Sequence, residues 1–143
     1  MKTLKPYLTI SEAAAALSKS SDVPLTDRDV FDLVAARRIT LLARFNEPYP
    51  AQLATVTPSE NPDLSERVDY GDSLPGGVRG VFPLWLGAFD RPFVNSTGEF
   101  QSEHGCLHFG TAKQGTLIVI EAATLPPGAE WLVSCDALRE LLK

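Results

Sequence analysis

Cysteine, histidine and methionine are scarce in this chain of 143 residues, which has two cysteines, two histidines and one methionine. Two cysteines do not make a disulfide framework, so we expect a reducing, cytoplasmic location. A single bridge between Cys106 and Cys135 is the alternative that the sequence leaves open. No apolar run approaches the ~20 residues that a transmembrane helix needs, and the N-terminus lacks the apolar stretch of a secretory signal. We therefore expect no membrane partner.

Positive charge is also in short supply. The chain has 13 Lys and Arg against 18 Asp and Glu, a formal net charge of −5, and its pI is near 5.0. Nucleic-acid binding draws much of its affinity from phosphates neutralised by Lys and Arg, so this balance excludes a generic basic surface. Residues 1–47 have seven basic and six acidic residues, whereas residues 48–143 have six and twelve. Any local basic surface must therefore come from residues 1–47.

Residues 7–38 contain the clearest local signals, which are the starts of two short helices. Thr9 and Glu12 have the spacing of a capping box, and Thr26 and Asp29 repeat it. We predict helices near residues 11–19 and 27–37. Each has an apolar stripe at helical spacing, formed by Ile10, Ala13, Ala14 and Leu17 in the first helix and by Val30, Phe31, Leu33 and Val34 in the second.

From Ile39 the apolar period changes to two, which predicts a strand over residues 39–45. Residues 48–77 are rich in proline, and the acidic stretch 57–75 is predicted to be a surface loop. The remainder predicts strands before Gly87 and over residues 106–109, 116–121 and 130–133. Ser134 is expected to cap a final helix. The expected core residues of this part are Trp85, Phe89, Phe93, Trp131, Leu138, Leu141 and Leu142.

These signals predict an α+β protein in three parts. Residues 1–47 are predicted to form a helix-turn-helix-like helical pair with its strand, and residues 48–77 a Pro-rich acidic connecting region. Residues 78–143 are predicted to form a small antiparallel β-rich unit with a C-terminal helix.

The segments LTISEAA (8–14) and RITL (38–41) resemble the MerR and excisionase class of winged helix-turn-helix domains. Such a start, joined to a β-rich remainder that closes with WLVSCDALRELL (131–142), is also similar to proteins of phages and mobile elements. The resemblance implies a small DNA-binding regulator of transcription. It assigns base contacts to Arg28 on the second helix and phosphate contacts to Arg37, Arg38 and Arg44.

Acidic residues on the same helix support a different partner. Asp27, Asp29 and Asp32 accompany Arg28, and three carboxylates mostly repel the DNA backbone. The alternative is a protein-binding module with no DNA binding, for example a phage factor that engages a host protein. Whether the partner is DNA or a protein, the sequence leaves open that the chain forms a homo-oligomer.

One alternating triplet, formed by His104, Cys106 and His108, resembles a set of metal ligands. Side chains two residues apart on a strand can share one ion, but His104 and His108 lie ~13 Å apart by strand rise. A buried thiol most often behaves as a small apolar side chain, and no phosphate-binding loop or catalytic signature is present. We therefore predict no catalytic residue, no metal site and no cofactor, and hence a protein that is not an enzyme.

Overall fold

The computed structural model describes residues 6–58, 66–87, 91–103, 105–110 and 115–142. Within these ranges the chain forms three helices and ten strands, which pair antiparallel. The predicted α+β class is confirmed, with a helical pair near the N-terminus and a helix near the C-terminus. The β-rich part is larger than the small unit predicted from the sequence.

The helices are α1 (Ile10–Ser21), α2 (Asp27–Ala35) and α3 (Cys135–Leu141). The strands are β1 (Tyr7–Thr9), β2 (Leu41–Tyr49), β3 (Gln52–Pro58), β4 (Glu66–Ser73), β5 (Val78–Pro83), β6 (Phe93–Val94), β7 (Phe100–Gln101), β8 (Leu107–Phe109), β9 (Thr116–Ile120) and β10 (Ala129–Ser134).

Both predicted capping boxes form. The hydroxyl of Thr9 accepts from the Glu12 amide at the start of α1, and the hydroxyl of Thr26 accepts from the Asp29 amide at the start of α2. The glutamate and aspartate side chains accept in return from the amides of the two cap residues, so each box satisfies otherwise unpaired donors. The predicted cap of the last helix, Ser134, is also confirmed, since its hydroxyl accepts from the Ala137 amide.

Two four-stranded sheets form the centre of the fold, with strand orders β1-β10-β2-β5 and β4-β3-β9-β8. They are joined where the chain leaves β5, because the amide of Trp85 donates to the His108 carbonyl and the amide of Gly110 donates to the Pro83 carbonyl, both at 2.8 Å. A separate hairpin of β6 and β7 has a turn at residues 95–98.

The main core lies between the helices and the two sheets. The apolar stripes of α1 and α2 are buried in it, and so is the inward-facing row of β2. That row contains Leu41, Ala43 and Phe45, and Ile39 just before the strand is buried as well, so the predicted alternation is confirmed, although the strand spans residues 41–49 and not 39–45. A second, smaller cluster lies on the other face of β3 and β9 and contains Ala54, Val56, Leu117 and Val119.

The predicted acidic loop at residues 57–75 is wrong over residues 66–73, which form β4. β4 pairs with β3 from Pro58↔Glu66 to Gln52↔Ser73, so the acidic residues there lie on an edge strand. The three-part division stays a prediction, but strand pairing crosses both of its boundaries. β2 lies between β10 and β5, and β3 lies between β4 and β9.

Two apolar residues expected in the core are exposed. Phe93 is 46% exposed because β6 presents Val94, and not Phe93, to the interior, as the alternation of a strand requires. Leu142 is also 46% exposed because it follows the last turn of α3, whose buried residue is Leu138. Trp85 and Trp131 are half-buried, and Phe89 lies outside the described residues. No helix in the described ranges has the length and apolar character needed to cross a membrane.

The buried face of α2, through which Val34 is predicted to pack against α1, can be tested by placing a charge in it. Val34 is 1% exposed, so Val34→Asp buries an unpaired carboxylate and should lower the free energy of unfolding by on the order of 3 kcal/mol. Asp32→Ala on the exposed side of the same helix is the control and should change stability by less than about 0.5 kcal/mol. Urea unfolding followed by circular dichroism measures both. Equal midpoints for Val34→Asp and the parent protein would show that this interface is misplaced.

Candidate nucleic-acid interface

The connection between α1 and α2 is held by side chains of α1. Asp22 ends α1 in the left-handed conformation, with a φ of 57°, which turns the chain toward α2. The hydroxyl of Ser18 accepts from the Leu25 amide at 2.7 Å, and the hydroxyl of Ser11 donates to the Asp27 carboxylate at 3.0 Å. The two helices are therefore tied at the start of α2 by hydrogen bonds as well as by apolar packing.

Two of the three aspartates on α2 have local hydrogen-bond partners. The Asp29 carboxylate accepts from the amide of Thr26 at 2.7 Å and from its hydroxyl at 3.0 Å, and Asp27 accepts from Ser11. Both lie in the first turn, where the positive end of the helix dipole stabilises a carboxylate. Their presence is explained by helix capping and helix contact, so they are not by themselves evidence for a particular partner. Asp32 is exposed further along the helix.

Arg28 lies in the first turn of α2, and its side chain is exposed between those two aspartates. Of the four arginines predicted to contact DNA, it is the one carried on a helix. Arg38 is likewise exposed, two residues after the Ala36 cap at the other end of α2. Since α2 has nine residues, its ends are ~13 Å apart by helix rise. The helix therefore separates these two arginines.

Arg37 is committed to contacts within the fold. Its guanidinium donates to the Leu86 carbonyl at 3.1 Å and to the Gly87 carbonyl, which attaches the end of α2 to the segment after β5. Its backbone has a φ of 61°, the left-handed conformation that usually requires glycine. The resemblance to winged helix-turn-helix domains predicts a phosphate contact for Arg37, but these hydrogen bonds give it a structural role.

Arg44 is also engaged within the fold. Its guanidinium forms an ion pair with Glu130 on the neighbouring strand β10 at 3.0 Å and lies over the Tyr7 ring, 5.9 Å from its centroid. Along β2, Arg44 alternates with the buried Ala43 and Phe45, so it lies on the face of the sheet opposite the core and the helices. Arg37 and Arg38 are adjacent in sequence and follow the C-terminal end of α2, whereas Arg28 lies at its N-terminal end. Arg44 lies on the outer face of the sheet, so the structure does not place it beside Arg28.

An open groove of about 480 Å³ separates the α2–β2 turn from α3. Arg37, Arg38 and Thr40 line one side, and Glu140 and Leu141 of α3 line the other. The acidic side chain of Glu140 lowers the positive potential next to Arg38. The groove therefore presents charges of both signs.

The β6–β7 hairpin covers part of α2 and so reduces the exposed surface of this helix. Sequence patterns did not indicate this contact. Phe31 of α2 stacks on Phe100 of β7, with ring centroids 5.2 Å apart. β6 lies against the same helix. The remaining outer surface of α2 is formed by Asp27, Arg28, Asp32 and Ala36.

The alternating triplet, for which the sequence predicts no metal site, is described by the structure at Cys106 and His108. His108 is 7% exposed, and its Nε2 is 2.9 Å from the Tyr70 hydroxyl. The rings of Trp85 and His108 form a T-shaped pair with centroids 5.9 Å apart. Cys106 packs on the second apolar cluster nearby. His104 lies outside the described residues. Among the described residues, no group of three His, Cys, Asp or Glu side chains is close enough to hold a metal ion.

The cavity beside His108 is too small for a substrate. Its volume is about 10 Å³, which is roughly the space of one water molecule. The Tyr70–His108 hydrogen bond joins β4 to β8 across the sheet, and it satisfies a polar atom inside an apolar cluster. Cys106 and Cys135 are thiols and not the disulfide that the sequence left open.

Comparisons with models of known families, with curated proteins and with solved structures found no match for this chain. Inference about its function therefore depends on its own residues and geometry.

Replacing Arg37 separates its backbone role from its side-chain role. Arg37→Ala and Arg37→Gly both remove the hydrogen bonds to Leu86 and Gly87, but glycine adopts a positive φ without steric cost. Both variants should be less stable than the parent, with the glycine variant more stable than the alanine variant by about 0.5–1 kcal/mol. Thermal melting of the two variants measures this difference. An alanine variant as stable as the glycine variant would show that position 37 is not left-handed.

We also predict that the purified protein contains no stoichiometric metal. The second apolar cluster is built from packing and the Tyr70–His108 hydrogen bond, so a chelator should leave the melting temperature unchanged. Elemental analysis with and without chelator treatment measures this. About one zinc per chain, lost in Cys106→Ala, would contradict the prediction.

Proposed function

We propose that this protein is a non-enzymatic recognition protein that contacts duplex DNA through α1 and α2, as a small regulator of phage or mobile-element origin. The observation that supports this most is the exposed Arg28 in the first turn of α2, next to acids that are held by capping and helix contact. A side chain at this position reaches base edges when a helix enters the major groove with its N-terminal end. The resemblance of residues 8–14 and 38–41 to winged helix-turn-helix domains points the same way.

The contact set of this proposal is smaller than the four arginines suggested by the resemblance. Arg28 is the proposed base contact, and Arg38 is the proposed phosphate contact at the other end of α2. Arg37 and Arg44 have partners within the fold, so they are left out of the set. With few phosphates neutralised, the dependence of affinity on salt should be shallow, about one unit of slope per contact.

A protein partner is the second candidate, and the charge of the chain favours it. The formal net charge is −5, and the exposed surface around α2 presents Asp27 and Asp32 as well as Arg28. A surface of mixed charge can form complementary pairs with another protein, whereas DNA presents one sign of charge throughout. Under this candidate α2 and the groove beside Arg38 contact a protein, and no duplex binds above background.

Selection from a random-sequence duplex pool, followed by fluorescence anisotropy across a salt series, tests the DNA proposal. Arg28→Ala should relax sequence preference and cost ~1–3 kcal/mol at the selected site. Arg38→Ala should weaken selected and unrelated duplexes alike and lower the salt slope by about one unit. Arg79→Ala is the matched control, because Arg79 is exposed on β5 at the end of the strand away from the α2–β2 turn.

Failure to enrich any sequence, together with no binding to any duplex at low salt, would reject DNA as the partner and favour the protein candidate. An equal loss of DNA binding in Arg28→Ala and in the Arg79→Ala control would also reject the proposed interface, because it would show a non-specific effect of charge.

A further inference from the structure

β4 is the longest edge strand of the two sheets. It has eight residues and has one strand neighbour, β3, among the described residues. The other edges are short or joined. β1 and β8 have three residues each, and β8 is linked through residues 108–110 to the segment that follows β5. An edge strand presents unpaired amides and carbonyls that can pair with another strand.

The first five residues of β4 pair regularly. Pairing with β3 is continuous from Pro58↔Glu66 to Ala54↔Tyr70, and the irregular register lies beyond it, between Ala54 and Gln52. β4 also contains no proline and no lysine, two residues with which proteins commonly block an edge. The backbone of residues 66–70 is therefore suited to accept a further strand.

The charges of β4 have a self-complementary pattern about Val68. Arg67 and Asp69 lie on one face and form an ion pair at 3.1 Å, with side chains 71% and 52% exposed. Val68 lies between them on the other face, where it packs against the second apolar cluster. When two such strands pair antiparallel about a two-fold axis at Val68, each Arg67 lies directly opposite the Asp69 of the other copy.

We propose that β4 binds a second copy of this chain, through antiparallel pairing of the two β4 strands centred on Val68. The pairing makes one sheet of eight strands from the two copies of the β4-β3-β9-β8 sheet. Charged residues on an edge usually prevent pairing, but here each Arg67 faces the Asp69 of the other copy. Charge complementarity is therefore what selects a second copy of the same chain as the partner.

The apolar face of the same strand adds to the contact. The two Val68 side chains lie opposite each other, and Tyr70, which is 56% exposed, lies diagonal to the Val68 of the second copy. A strand-to-strand contact buries less area than a standard protein interface, so the dimer is expected to be weak and reversible. The proposal does not depend on DNA binding, because β4 shares no residue with α1 or α2.

Charge reversal tests the proposed register. Arg67→Asp places two acids opposite each other twice in the dimer, and Asp69→Arg does the same with two bases. Each should weaken dimerisation by about tenfold or more. The double variant Arg67→Asp/Asp69→Arg restores every opposite pair and should dimerise like the parent. An equimolar mixture of the two single variants should form the mixed dimer, since one strand is then all acidic at these positions and the other all basic.

Sedimentation equilibrium over a concentration series up to about 1 mM measures the dissociation constants. Arg79→Asp and Glu47→Arg are controls with the same changes in net charge, placed on exposed positions of β5 and β2. Exposed ion pairs contribute little to folding, so circular dichroism melts of the single variants should match the parent. Weakening by the single variants with rescue by the double variant and the mixture would support the proposal.

Three results would overturn it. The parent protein staying monomeric over the whole series would exclude the dimer. A dimer unaffected by the single variants would place the interface elsewhere. A dimer weakened equally by the two control variants would show that net charge, and not the pairing of position 67 with position 69, sets the association.

Discussion

A chain of aromatic contacts through the main core holds α2 to both sheets. Phe31 of α2 stacks on Phe100 of β7 at 5.2 Å, and Phe100 meets Trp131 of β10 edge-on at 5.8 Å. The series continues through Phe109 of β8 to Phe45 of β2, at 6.2 and 5.6 Å. Each such pair contributes roughly 0.5–1.5 kcal/mol beyond the area it buries. Because this series fixes which side of α2 is buried, it also decides that Arg28 and Asp32 are exposed.

The same packing assigns the arginines to different roles. α2 ends against the segment after β5, where Arg37 supplies hydrogen bonds to two backbone carbonyls. The inward row of β2 includes Phe45, so the alternating Arg44 must lie on the outer face, where Glu130 and Tyr7 are its neighbours. Arg28 and Arg38 are the two predicted contact residues that the fold leaves for a partner. Under the proposed function, an acidic chain with two such residues recognises its partner by shape and by individual contacts more than by overall charge.

Edges are the second constraint on this β-rich molecule. Hydrogen bonds between residues 83–85 and 108–110 join the edge strand β5 of one sheet to the edge strand β8 of the other. The Tyr70–His108 hydrogen bond then holds β4 to β8 over the second apolar cluster. Among the described residues, the longest strand edge is the outer side of β4, with its opposite charges two residues apart. The outer face of α2 and the outer edge of β4 are therefore two separate exposed surfaces.

Local structure was determined by the sequence itself, because its signals act between residues at most four apart. Both capping boxes, the apolar stripes of α1 and α2, the alternation after Ile39 and the Ser134 cap formed as predicted. Only the tertiary structure decided what these elements contact. The partner of Arg37 is 49 residues away, that of Arg44 is 86 away, and that of Tyr70 is 38 away. No short pattern encodes such distant pairs. The same reason explains β4, whose acidic residues indicated a loop until pairing with β3 made them a strand.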